Sequence, residues 1–365
     1  MSVACLMAVA ARRCFACDAG EARTAGRSKA VKAIYFNEHG DLSVLRYGDI
    51  ERPTAAPGWV TVRVRATSLN HLDIFSRRGM PGISIPLPSI TGGDAAGEIA
   101  EIGAGVTGIE PGQRVLVNPA HVDFEKGIFD LLGESRRGAL AEYCTVRAEQ
   151  VIPLPSTVSY EDAACLPVAY GTAHRMLYER GRIRAGEKVL VLGASGGVGN
   201  ACVLLAKRAG CHVIAAAGSD EKCEKLRALG ADETINYRSE PFEHYIRRTT
   251  GSLLRGGGCD VVVNFTGGDT WARSLQCVKR HGRLLTCGGT AGYHPPTDIR
   301  YIFMAEMNIV GSTGWSREDL VACLDMVARG EWRPPIHRVF ALEEGVEAMR
   351  VLEERDFFGK LVIRP

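Results

Sequence analysis

Val189-Leu190-Val191-Leu192 runs without a break into Gly193-Ala194-Ser195-Gly196-Gly197-Val198-Gly199. An apolar, strand-like stretch ends on glycines, and a helical pattern starts at once. Such a turn opens main-chain N–H groups at a helix N-terminus, where they hold a pyrophosphate. The strict dinucleotide pattern asks for glycine at 194, 196 and 199, and Ala194 replaces the first. Glycine-rich turns are common in ordinary loops, so the weight falls on the downstream alternation of strand and helix. Strands are expected over 188–192, 212–217, 233–237, 260–265, 283–287 and 308–312, with helices between them, including 197–209 and 220–229. Six strands with helical crossovers predict an α/β fold of the Rossmann kind, a doubly wound parallel sheet. Ala194, Ser195, Gly196, Gly197, Val198 and Gly199 are then the phosphate-binding residues. Asn264 and Thr266 end the fourth strand, and Gly288 and Gly289 end the fifth. They and Tyr237, at the end of the third, are placed around the same crevice outside the carboxyl ends of the strands.

The sequence before this region has another texture. From 31 to about 154 it shows short strands punctuated by glycine and proline, and Trp59-Val60-Thr61-Val62-Arg63-Val64-Arg65 alternates with period two. Residues 31–154 therefore form a mainly β domain, and 155–313 the nucleotide-binding domain. A helix from Glu318 to Arg329 and a last strand Gly359–Ile363 come after them. Residues 314–365 are expected to fold back onto the first domain.

The bulk numbers narrow the class. With 44 Lys and Arg against 42 Asp and Glu, the net charge of +2 favours neither nucleic acid nor an acidic surface as partner. There is no apolar run of about 18 residues to span a membrane. Twelve cysteines scattered through apolar stretches suit a reduced, cytoplasmic protein better than a disulfide framework. Cys14 and Cys17, the one Cys-x-x-Cys pair, lie in an Ala- and Arg-rich segment, 1–30. That segment reads as a disordered tail or an over-extended start. Its arginines also resemble a mitochondrial transit peptide, although Asp18 and Glu21 break the acid-poor signature.

The second strand decides the nucleotide. An NAD-binding site places an acid at its end, about 20 residues past the glycines, on the ribose 2′-hydroxyl. Here the strand ends Ala215-Ala216-Ala217-Gly218-Ser219, with Lys222 one turn on. Ser219 and Lys222 stand where a 2′-phosphate lies, which favours NADPH. Ser219 also suits an N-cap, with Asp220 and Glu221 as first-turn acids.

Taken together, several stretches resemble the medium-chain dehydrogenase/reductase superfamily and, within it, the zinc-independent quinone oxidoreductases. They are Val31-Lys32-Ala33-Ile34, Ser68-Leu69-Asn70-His71-Leu72-Asp73, Gly92-Gly93-Asp94-Ala95-Ala96-Gly97, the 194–199 turn, Ala217-Gly218-Ser219 and Gly359-Lys360-Leu361-Val362-Ile363. The resemblance covers nearly all of 31–365 and implies a GroES-like catalytic domain beside the Rossmann domain, and a homodimer. Zinc-bearing members hold a catalytic metal with Cys, His and Cys. The corresponding places here are Asn70, the Gly92-Gly93-Asp94 stretch and the neighbourhood of Val168, and Asn, Gly and Val are not zinc ligands. Cys165 lies three residues from the third place. The loop that carries four structural-zinc cysteines in such relatives runs from Ala120 to Arg137 without one. His121, Asp123 and Glu125 are read there as loop charges, and no metal is expected.

Without a metal to lower an alcohol's pKa, the expected reaction is hydride transfer from NADPH to a small electrophile, a quinone or an α,β-unsaturated carbonyl compound. Orientation and hydrogen bonds to the developing oxyanion assist it. By family position Asn70 and Asp73 are the candidate catalytic residues, with Asn70 able to donate to a carbonyl oxygen. His71 reads as a packed or surface histidine. Related reductases carry an aromatic residue where this chain has Met80-Pro81, and Tyr170 is the nearest alternative proton donor. Two other readings stay open. One is an alcohol or aldehyde dehydrogenase-like enzyme with an altered zinc site; the other is a non-catalytic NADPH-binding sensor or structural protein.

Overall fold

The computed structural model describes residues 30–80, 82–123 and 128–365. The expectations placed on the N-terminal tail, the Cys14–Cys17 pair, Pro81 and Glu125 lie outside them. The chain divides into two compact units. One comprises the described residues up to Ser156 with Val339–Glu354 and Val362–Pro365; the other comprises Thr157–Arg338 and Arg355–Leu361.

The first unit is built on period-two strands. β1 (Ala30–Tyr35) pairs antiparallel with β2 (Arg46–Glu51). β3 (Trp59–Ser68), β4 (Ala96–Ile102), β5 (Arg114–Val117) and β9 (Val151–Pro153) follow one another in an antiparallel sheet, and β8 (Tyr143–Arg147) pairs with β3. β6 (Ala120–Asp123) and β7 (Ile128–Leu131) make a separate hairpin, within the loop that lacks cysteine. The alternation in β3 puts Val60, Val62 and Val64 into one core with Ile99, Val115, Val117, Cys144 and Val146. Burying each Val or Ile contributes about 1.5–3 kcal/mol. The β3 register delivers Thr67, Ser68 and Asn70 to the start of helix His71–Arg78.

The second unit is a six-stranded parallel sheet. Its strands are β10 (Lys188–Val191), β11 (His212–Ala217), β12 (Glu233–Asn236), β13 (Cys259–Val263), β14 (Val278–Thr286) and β15 (Asn308–Gly311). Their order across the sheet is β12-β11-β10-β13-β14-β15. The chain leaves β10 in both directions, so the strand order reverses between β10 and β13, the place where open α/β sheets bind ligands. Val189, Leu190 and Val191 are wholly buried, as a central strand covered by helices on both faces requires. β16 (Ile336–Ala341) and β17 (Lys360–Arg364) complete the strands, and β17 pairs antiparallel with the end of β3.

One segment departs from the sequence reading. Helix Arg317–Ala328 belongs to the nucleotide-binding unit and not to the β unit. Its buried face carries Leu320, Cys323, Leu324, Met326 and Val327. Its first turn is fixed by Asp319, which accepts from Ser316 N and lies 2.6 Å from His174 Nδ1. Apolar periodicity announces the helix but not the surface it covers. No helix among the described residues is long and apolar enough to cross a membrane.

Candidate active site

The glycine turn has the geometry that the sequence predicts. Gly193 takes φ +63°, and Gly196 is extended at φ −88°, ψ 178°, immediately before helix Gly197–Arg208. A β-carbon on Gly199 would lie 2.5 Å from Ala194 Cα, so glycine is required there for the helix to pack against the turn. A β-carbon on Gly196 would meet only Gly193 O, at 3.7 Å. Helix-start N–H groups have no intrahelical acceptor, and those of the first turn open onto the space beside Gly196. The turn is locked from behind by Asn200, wholly buried, whose Nδ2 donates to Ala194 O at 2.6 Å. Ser195 presents its carbonyl to Gly359 N at 2.9 Å. The next residue, Lys360, is only 3% exposed, and its Nζ lies 3.8 Å from the β-carbon position of Gly197. Lys360 thus brings a positive charge beside the opening of this helix. The arrangement fits a dinucleotide pyrophosphate.

The neighbouring loops converge on the same end of the sheet. Phe265 packs against Gly193, Thr290 N donates to Phe265 O, and Ala291 N donates to Thr266 O at 2.7 Å. Gly288 and Gly289 lie on this second loop. Asn264 does not face the crevice. It is wholly buried, donates to Ser274 Oγ at 2.8 Å and accepts from Thr266 N and Gly267 N. It shapes the loop that Thr266 occupies.

Ser219 caps helix Asp220–Ala228, its Oγ accepting from Lys222 N at 3.3 Å. Asp220 accepts from Asn236 Nδ2 at 2.8 Å, so this acid is tied to the end of β12. The Tyr237 hydroxyl lies 2.8 Å from the β-carbon position of Gly218. Lys222 Nζ donates to Arg355 O at 2.9 Å and lies 3.8 Å from Asp356. Burial, then the charge of Lys225, hold the His337 imidazole below its usual range, with Lys222 also contributing. Ser219, Lys222 and Tyr237 therefore gather at one place, beside the first turn of helix Asp220–Ala228. Arg355 and His337, far off in sequence, join them without any local signal that could have foretold it.

In the other unit a second cluster forms around Asn70. Its Nδ2 donates to Asp94 Oδ2 at 2.8 Å, and Ser68 Oγ donates to the same oxygen at 2.6 Å. A carboxylate can only accept, so Asp94 fixes which way the amide points. Asp73, 2% exposed, accepts from Asn70 N at 2.8 Å through one oxygen and from Gly92 N at 2.7 Å through the other. It positions the loop and the helix start. His71 starts that helix and lies beside Phe75. Two-way use of the Asp73 carboxylate brings the Asn70 and Gly92 segments together, which the sequence does not reveal. Tyr170 is wholly buried and stacked on Trp332 at 5.0 Å, and burial pushes its hydroxyl well above the usual tyrosine range. It is not placed to donate a proton to a bound substrate. His121 is paired with Glu149 at 2.8 Å. Among the described residues, no group of three or more His, Cys, Asp or Glu side chains is arranged to hold a metal ion.

These two sites belong to a known pairing of domains. The alcohol dehydrogenase GroES-like domain family matches residues 56–156, and the zinc-binding dehydrogenase family matches 197–329. A quinone oxidoreductase of Pseudomonas aeruginosa is 31% identical over 348 residues, covering 92% of this chain and 99% of its own. Among solved structures, an NAD-dependent alcohol dehydrogenase superposes with a TM-score of 0.85 at 34% identity, covering 92% of this chain and 99% of that one. The 2-octenoyl-CoA carboxylase reductase CinF, solved with NADP and 2-octenoyl-CoA, has a TM-score of 0.79 at 29% identity, with 92% and 87% covered. The chain belongs to the medium-chain dehydrogenase/reductase superfamily of oxidoreductases, whose members bind NAD or NADP.

Proposed function

We propose that this protein reduces quinones or α,β-unsaturated carbonyl compounds with NADPH and without a metal. The observation that carries this reading is the bond from Asn70 to Asp94. At the place of the first zinc ligand in metal-bearing members stands a neutral amide already oriented by a buried carboxylate. The second place offers Gly92 and Gly93, which have no donor side chain. The bound dinucleotide supplies a hydride from its reduced nicotinamide. Lys360 and the helix N-terminus hold its pyrophosphate, and Lys222, Ser219 and Tyr237 favour a 2′-phosphate. Asp94 holds the Asn70 amide in one orientation, and Asp73 fixes the helix start beneath it. Its similarity to a quinone oxidoreductase and to a 2-octenoyl-CoA carboxylase reductase supports an electrophilic acceptor. The protein acts as a homodimer, for which β15 at the sheet edge and the exposed Ile299, Phe303 and Met304 beside it are a suitable surface; light scattering tests this.

The deciding experiment measures NADPH oxidation by EDTA-treated protein with a small ortho-quinone and with an enone, against NADH at equal concentration. Turnover with NADPH that survives chelation supports the reading. Stoichiometric zinc in washed protein, with activity lost on its removal, overturns it.

A further inference from the structure

The nucleotide-binding unit carries a second groove, at the amino ends of β13 and β14. Its lining includes Gly258, which precedes β13, and Gln276, which lies just before β14. The strands are parallel, so this is the end of the sheet opposite the cofactor crevice. Helix Phe242–Thr250 ends beside the groove at Gly251, φ +91°, and helix Ile299–Ala305 contributes Tyr301. The groove encloses about 300 Å³, with Ile246, 1% exposed, on its wall. A neighbouring hollow of about 450 Å³ shares Leu253 and Tyr301 with it and reaches Ala305. The two have the size of a small-molecule site.

The walls are preformed. Gly258 N donates to Thr250 Oγ1 at 2.7 Å, and Arg255 N and Gly257 N both donate to Ser252 O. A β-carbon on Gly257 would lie 2.1 Å from Gly251 O, so the loop closes this tightly only with glycine there. Tyr301 packs against the core of the sheet.

The polar groups along the groove are unspent. Among the described residues, no hydrogen bond or ion pair engages the Arg247 guanidinium, the Gln276 amide or the Tyr301 hydroxyl. The helix end does not need Arg247, because Arg247 O accepts from Gly251 N and Ile246 O from Thr250 Oγ1. The neighbouring charges are already paired: Arg280 with Glu306, Arg300 with Asp298, Arg273 with Glu243 and Arg248 with Glu240. The charge of Arg247 is felt inside the groove. Burial pushes the Cys277 thiol well above its usual range, and Arg247 is among the cations that oppose this, one residue beyond Gln276. A guanidinium takes a carboxylate through two parallel N–H···O bonds. An amide and a phenol add further donors, and the apolar walls suit an alkyl chain.

We propose that this groove is a second ligand site, for a singly charged amphiphile of the medium-chain carboxylate class. Its carboxylate pairs with Arg247, and Gln276 and Tyr301 donate to it. Its chain lies along Ile246, Leu253 and Ala305. One unpaired cation matches one negative charge. The assignment goes beyond the reductase reading and does not depend on it.

The test titrates octanoate by calorimetry into the protein with and without NADPH, beside acetate, which lacks the chain, and octanamide, which lacks the charge. One octanoate should bind per chain with a Kd at or below about 1 mM, whether or not NADPH is present. Octanamide should bind about 10- to 100-fold more weakly, and acetate at least about tenfold more weakly. Arg247→Gln should weaken octanoate about 10- to 100-fold at an unchanged melting temperature and leave octanamide as it was. Arg247→Lys should keep part of the affinity. Equal affinity for octanoate and octanamide, or for octanoate and acetate, overturns the inference, as does octanoate binding unaltered in Arg247→Gln. Binding that NADPH abolishes would put octanoate in the cofactor crevice, which overturns a second site and leaves the reductase reading intact. No binding of octanoate up to about 10 mM also overturns it.

Discussion

The Gly193–Gly199 turn and the Asn70–Asp94 cluster are built on opposite rules. The turn is made of main chain: its function comes from side chains that are missing, and the N–H groups of the first helical turn have no intrahelical acceptor. The cluster is made of side chains that hydrogen-bond to one another, so that Asp94 receives two donors and Asp73 receives two more. Glycine leaves a direct mark in a sequence because few other residues meet its steric demands. A carboxylate leaves an ambiguous one, since Asp73 as a loop clamp and Asp73 as a catalyst look the same on paper.

The sharpest way to break this contrast is Asp73→Ala. It strands Asn70 N and Gly92 N, two donors in the part-buried or buried interior, and each unsatisfied group costs about 1–3 kcal/mol. A loss of about 2–5 kcal/mol in urea unfolding is expected. Loss of turnover at unchanged stability would return Asp73 to a direct part in the chemistry.

Within the turn, two glycines separate packing from binding. Gly199→Ala places a β-carbon 2.5 Å from Ala194 Cα and should destabilise the protein by about 1–3 kcal/mol. Gly196→Ala meets nothing nearer than 3.7 Å and should leave the melting temperature unchanged, while weakening NADPH binding by at least about tenfold. Equal melting temperatures for the two variants would remove the distinction.

This division also marks how far the sequence could be read. The six parallel strands, helix Gly197–Arg208 and the Ser219 cap lie within a residue or two of the sequence assignment, except that β14 begins five residues before it, at Val278. Local signals determine them: apolar runs, glycine and a capping serine. What escaped depends on long-range placement. Lys360 reads only as part of a terminal strand, and nothing local says that it is buried beside Gly197. Asn264 has a residue type that suits a cofactor contact, yet its amide is directed into Ser274 and the loop main chain. Helix Arg317–Ala328 is legible as a helix, but its partner surface is not. The burial of Glu134 carries no local signature at all.

A smaller effect tests the cofactor end. Lys222 is held by Arg355 O, with Asp356 close by, so its ammonium is presented in a fixed place. If the bound nucleotide is NADPH as proposed, Lys222→Glu removes a charge-assisted contact to its 2′-phosphate, worth about 1.5–3 kcal/mol. NADPH affinity should fall about 10- to 100-fold and NADH affinity far less. An equal loss for both nucleotides would show that Lys222 serves only to anchor the 355–356 segment.

The smallest expected effect concerns a neighbour of the cluster: Glu134, 3% exposed, follows Gly133, whose β-carbon position lies 2.9 Å from Gly92 N. Burial raises the Glu134 carboxyl in the folded state. A raised folded value means that its contribution to stability is complete below the unfolded glutamate range and is lost as pH rises through the folded value. Glutamine stays neutral throughout, so Glu134→Gln lacks this loss. The melting curves of the two proteins should run parallel in acid and diverge as pH rises, with the variant higher by on the order of 1 °C. Parallel curves from about pH 5 to about pH 9 would mean that the carboxyl ionises without penalty. It would then be a solvated group on its turn, with no share in the closed side-chain cluster that Asp73 and Asp94 build.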